Sequence, residues 1–111
     1  MLTEKDYCDY ETQKSLMELG FPMQVLSYDL GSGLKAYLPK IHLYEAQKWL
    51  REVRNLHIEV GYNPILSWYV YRVWEHQDEI AEGEAFPTYE DALSTAIYMA
   101  TEYLKENSNG N

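Results

Sequence analysis

The chain predicts an α+β fold in the order α-ββα-ββα, an antiparallel sheet with helices packed mainly on one face. Three features carry that expectation. Residues 43–54 place apolar side chains at helical spacing. Trp68-Tyr69-Val70-Tyr71-Arg72-Val73-Trp74 is rich in aromatic and β-branched residues, which suit a pleated strand. Finally, Phe86-Pro87-Thr88-Tyr89-Glu90-Asp91-Ala92-Leu93 opens the best-marked helix. There Thr88 can accept from a free first-turn amide, while Glu90 and Asp91 set negative charge against the positive helix end.

Taken in order, Asp9 caps a short helix over 10–19 that stops at Gly20, and Pro22 prevents its continuation. Residues 23–30 alternate as a half-buried strand, Gly31-Ser32-Gly33 turns the chain, and residues 34–38 return as its hairpin partner. Leu43, Ala46, Trp49, Leu50 and Val53 then share one helical stripe, with Glu45, Gln47, Lys48, Arg51, Glu52 and Arg54 facing away. A second strand pair follows. Leu56, Ile58, Val60 and Tyr62 alternate with His57, Glu59 and Gly61, Asn63-Pro64 breaks the run, and residues 68–74 form the partner. Both faces of that second strand are largely apolar or aromatic, so it is either central and covered on both sides or laid against something outside the subunit. Residues 75–85 read as an acidic loop, and the last helix spans 89–106 with Leu93, Ala96, Ile97, Ala100 and Leu104 inward.

At 111 residues and 46% hydrophobic composition, the chain fits one domain over 1–106 with a disordered polar tail over 107–111. No apolar run approaches the ~18 residues needed to cross a bilayer, and the N-terminal stretch lacks the basic-then-apolar order of a secretory signal. A soluble, cytoplasmic protein without membrane contact is expected. Cys8 is the only cysteine, which excludes an internal disulfide; with Asp6 and Asp9 as neighbours it reads as an inert thiol in a reducing compartment.

The net charge is −9, and −8 of it falls from Glu75 onward, where nine acids face one base, Lys105. A surface of that sign repels phosphate backbones, so direct nucleic-acid binding is not expected.

The opening Met1-Leu2-Thr3-Glu4-Lys5-Asp6-Tyr7-Cys8-Asp9-Tyr10, the helix end Leu16-Met17-Glu18-Leu19-Gly20-Phe21, the segment Tyr44-Glu45-Ala46-Gln47-Lys48-Trp49-Leu50-Arg51-Glu52 and the closing Thr88-Tyr89-Glu90-Asp91-Ala92-Leu93 resemble a group of small uncharacterised proteins of gut Bacteroides and their prophages. The resemblance spans nearly the whole chain. It implies a cytoplasmic protein of bacterial or prophage origin and carries no activity. Residues 56–106 are more distantly similar to HicB-type antitoxins, whose small αβ domain blocks an RNA-cleaving toxin. This chain has Phe86-Pro87 where those proteins usually have Gly-Asp before the threonine, and no DNA-binding segment follows.

No pattern marks out chemistry. His42, His57 and His76 lack the spacing that brings metal ligands to one face, and the acids Glu75, Asp78, Glu79, Glu82 and Glu84 lack the Asp-x-Asp-x-Asp-Gly order of a calcium loop. Ser27, Ser32, Ser67 and Ser94 sit in no nucleophile motif, and Gly31-Ser32-Gly33 is too short to cradle phosphate. No catalytic residue, cofactor or metal is therefore expected. The chain does hold 11 tyrosines and 3 tryptophans against 2 phenylalanines, a bias toward rings with polar tips that suits partly wet surfaces. Trp68, Tyr69, Tyr71, Arg72 and Trp74 are accordingly candidate protein-interface residues, as are Glu75, Asp78, Glu79, Glu82 and Glu84. The expected partner is a protein: a second copy of the chain, forming a homodimer through the 68–74 strand or its neighbouring edge. The alternative is a basic protein that the acidic segment blocks, as an antitoxin or nucleic-acid mimic would.

Overall fold

The structure, a computed structural model, describes residues 4–22, 27–29, 35–37 and 40–108. After a single 3-10 turn at Glu4–Asp6, helix α1 spans Tyr10–Glu18. Asp9 Oδ1 accepts from Thr12 N at 2.8 Å, as the sequence led one to expect. Gly20, at φ +103°, lets Phe21 N return to Leu16 O at 2.9 Å and close the helix. Strands β1 (Ser27–Asp29) and β2 (Lys35–Tyr37) pair antiparallel, Ser27 with Tyr37 and Asp29 with Lys35. The outer parts of the expected strands, and the Gly31-Ser32-Gly33 turn, lie outside the described residues.

Helix α2 runs Leu43–Arg54, the span its stripe predicts, and ends on Asn55 in the left-handed conformation. Leu43, Ala46, Trp49 and Leu50 are buried. Val53 is not: at 58% exposed it falls in the last turn, beyond the reach of the core.

Strands β3 (Leu56–Asn63), β4 (Trp68–Glu75) and β5 (Asp78–Phe86) form an antiparallel sheet in that order, separate from the β1–β2 pair. β5 corrects the expected acidic loop over 75–85. Its inward positions are Ile80, Ala81, Gly83 and Phe86, and two register shifts against β4 disturb the strict alternation that would have marked it as a strand. The turn between β4 and β5 is only His76-Gln77, with His76 at φ 57°.

Helix α3 spans Tyr89–Ser108, two residues beyond the predicted end, and Asn107 Nδ2 donates to Tyr103 O at 2.8 Å within its last turns. Thr88 Oγ1 accepts from Asp91 N at 3.1 Å, the expected cap. Ala92, Ala96 and Ala100 follow one another a turn apart with no exposed surface, so α3 lies close over all three strands. Leu50 from α2, Leu56 and Val73 from the sheet, Ile97 from α3 and Leu16 from α1 complete the core without exposure. Each such side chain contributes roughly 1.5–3 kcal/mol relative to leaving it in water.

Candidate interaction surface

The position of α3 divides the aromatic strand. Residues alternate across a strand, so Tyr69, Tyr71, Val73 and Glu75 face the helices while Trp68, Val70, Arg72 and Trp74 face away. Tyr71 is 4% exposed and packs its ring against Phe86 at 5.6 Å. Tyr69 stands between Tyr62 at 4.9 Å and Tyr89 at 6.2 Å. Glu75 accepts from Tyr103 OH at 2.6 Å on the helix side, and that bond is the first cause of a Tyr103 pKa held above the ordinary phenol value. Tyr69, Tyr71 and Glu75 thus make their contacts on the helix side of the sheet. β4 is also the central strand, paired on both edges, so it cannot itself pair with another chain. The routes left for a second copy are burial of β4's open face and pairing at a neighbouring edge.

The opposite face carries no helix among the described residues. Strand register places His57, Glu59, Gly61 and Asn63 of β3 opposite Trp74, Arg72, Val70 and Trp68 of β4. From the other side, Glu82 pairs with Arg72 and Glu79 with Trp74. The result is two half-buried tryptophans and a valine, flanked by Glu59 on the β3 side and by Glu79 and Glu82 on the β5 side. Among the described residues of this face Arg72 is the one Lys or Arg, 3.8 Å from Glu79 through its Nε.

Glu79 has its pKa raised, first by desolvation, then by a hydrogen bond with Glu82 and the charges of Glu82 and Glu59, with Arg72 opposing. Three carboxylates therefore crowd a single guanidinium. An open groove of about 650 Å³, lined by Gly61, Asn63, Val70, Arg72, Glu82 and Glu84 among others, continues this face toward the β3–β4 turn. Trp68 Nε1, shielded from solvent, has no hydrogen-bond partner among the described residues.

Of the acids expected to act, Glu79, Glu82 and Glu84 meet on this face, Asp78 lies at the β4–β5 turn, and Glu75 is turned inward. Sequence reasoning missed Glu59 and Val70. The alternation of β3 carried the signal for Glu59, but joining it to Glu82 across Arg72 required β5 to be recognised as a strand. Among the described residues no group of three His, Cys, Asp or Glu side chains could hold a metal ion, and no helix is long and apolar enough to cross a membrane. Cys8 is buried, and burial first, then the Asp9 charge, pushes its thiol pKa up to about 12.

No protein-family model, curated protein or solved structure matches the chain.

Proposed function

We propose that the protein is a non-enzymatic interaction module whose open sheet face docks a basic segment of another protein. The observation that supports this is a sheet face that no helix among the described residues covers. Trp68, Val70 and Trp74 supply apolar area, and Glu59, Glu79, Glu82 and Glu84 frame it against Arg72 alone. Interface hot spots favour buried tryptophan, while clustered charges of one sign select partners by charge and accelerate their encounter. Two copies meeting through this face would set carboxylate against carboxylate, so it suits a different, cationic partner. A nucleic acid would be repelled for the same reason. The single cysteine, kept as a protonated thiol, suits the reducing cytoplasm in which we place the module.

The test is a titration with matched lysine- and arginine-rich, neutral and acidic peptides, followed by tryptophan fluorescence. The basic peptide should bind, change the emission of Trp68 and Trp74, and weaken as salt rises. A Glu59→Gln, Glu82→Gln, Glu84→Gln triple variant should lose most of that binding. Equal binding of the acidic peptide, or affinity indifferent to salt, would sink the proposal.

A further inference from the structure

The outer edge of β3 carries a second, independent surface. Gln47 Nε2 donates to Ile58 O at 3.1 Å, which places that carbonyl on the side of β3 turned away from β4. Alternate residues of a strand point their backbone groups the same way, and the β3–β4 register is unbroken. Leu56, Ile58, Val60 and Tyr62 therefore present N–H and C=O outward, whereas His57, Glu59, Gly61 and Asn63 spend theirs on β4. Helix α2 attends to the Ile58 end. Among the described residues no strand pairs with the Val60 and Tyr62 end. An edge with free donors and acceptors is a template for another strand. The other edge, β5, is unlike it: two register shifts distort it, and Asp78, Glu79, Glu82 and Glu84 crowd it with like charge.

We propose that β3 pairs antiparallel with β3 of a second copy about a two-fold axis through Gly61. Val60 then lies opposite Tyr62 of the second copy, and the reverse, and the two pairs exchange four backbone hydrogen bonds. The register follows from what each outward group can accept. Ile58 falls opposite Pro64 of the second copy; Pro64 has no N–H to donate, and the Ile58 carbonyl is already held by Gln47, so neither group is stranded. Centring the pair on Val60 would bring the Tyr62 amide of one copy to the occupied Ile58 carbonyl of the other. Centring it on Tyr62 would leave the Val60 carbonyl facing the donorless Pro64.

Side chains agree with the same register. Glu59 meets Asn63 of the second copy, so no like charges oppose one another. Gly61 meets Gly61 on the open face, where no side chain intrudes. Tyr62, 53% exposed and leaning on Tyr69, gains Val60 of the second copy on the helix face. This pairing does not depend on the basic partner, and it is measured without one.

Sedimentation over about a hundred-fold concentration range should show monomer converting to dimer. Amide exchange at Val60 and Tyr62 should slow in step with dimerisation. Asn63→Asp keeps the Oδ1 that accepts from Ile65 N and Leu66 N, yet places a carboxylate opposite Glu59 of the second copy at two symmetric positions. It should weaken association about tenfold, and Glu59→Gln in the same chain should restore it. A protein that stays monomeric at every concentration overturns the pairing. So does a dimer indifferent to Asn63→Asp, or one in which the Val60 and Tyr62 amides exchange as fast as in the monomer.

Discussion

Gly83→Ala tests the packing that turns the aromatic strand into two faces. A Cβ built at Gly83 would lie 2.3 Å from Tyr71 Cε2 and 2.9 Å from its Cζ, whereas ordinary contact begins at 3.4 Å. The ring would have to retreat by about 1.1 Å to restore ordinary contact. That retreat is resisted on the core side, because Tyr71 is 4% exposed and Phe86 stands at 5.6 Å. Overpacking of a filled core costs about 1–3 kcal/mol, and swinging the ring out of the core instead forfeits its apolar burial, about 1.5–3 kcal/mol. Replacing glycine also restricts the unfolded chain, which returns roughly 0.4–1 kcal/mol.

The net loss should be about 1–2 kcal/mol, or roughly 4–10 °C in Tm for a domain of this size. Thermal unfolding followed by circular dichroism measures it. Gly61→Ala is the control: among the described residues its Cβ meets only Val70 Cγ2, at 3.7 Å, and Tm should hold or rise slightly. In a Tyr71→Leu background the Gly83→Ala penalty should vanish, because the atoms it strikes are gone. A Gly83→Ala protein that melts with the parent, or a penalty that persists without the tyrosine ring, refutes the close approach.

Ala85 sits at φ 72°, beside the register shift between Tyr69 and Tyr71, in the left-handed region that an alanine Cβ disfavours; Ala85→Gly should raise stability by about 0.5–1 kcal/mol in chemical denaturation. Thr88→Ala removes the acceptor for Asp91 N and should cost about 1 kcal/mol in the same assay. Cys8, raised from 9.0 to about 12, should resist alkylation at neutral pH until the protein unfolds. Because the folded state holds that proton more tightly, the thiol's contribution to stability is intact below pH 9.0 and declines as pH climbs toward 12; Cys8→Ala should flatten that alkaline decline in Tm.

Helix α2 was legible because one stripe, Leu43 to Leu50, does all its burial and Asn55 ends it cleanly. The caps Asp9 and Thr88 were legible because capping is local. β5 was not. Ile80 and Ala81 both turn inward and Ala85 sits beside a second shift, so the period of two that identifies a strand is broken twice within nine residues. Its turn uses His76-Gln77 where a hairpin would ordinarily advertise glycine or asparagine. Nor could the 68–74 segment say which of its apolar faces is core. That is settled by α3, whose alanines approach from the Tyr71 side, and such long-range packing leaves no mark within the strand.

The two proposed surfaces constrain one another. A two-fold axis through Gly61 runs normal to the sheet, so it keeps both sets of helices on one side and both open faces on the other. Six strands would then share a single face on the side away from the helices, with Trp68, Val70 and Trp74 repeated on either side of the Gly61 pair. A basic segment long enough to cross the axis would engage both copies at once, and its second contact would form at the high effective concentration that tethering provides. Binding of a long basic peptide should therefore strengthen with protein concentration, while a short one that fits a single groove should not respond. Asn63→Asp should abolish that dependence on protein concentration, while its added carboxylate, which lies in the groove, should itself tighten the short peptide. Separating the two lengths this way distinguishes an edge that organises the docking face from one that merely adds a second, unrelated contact.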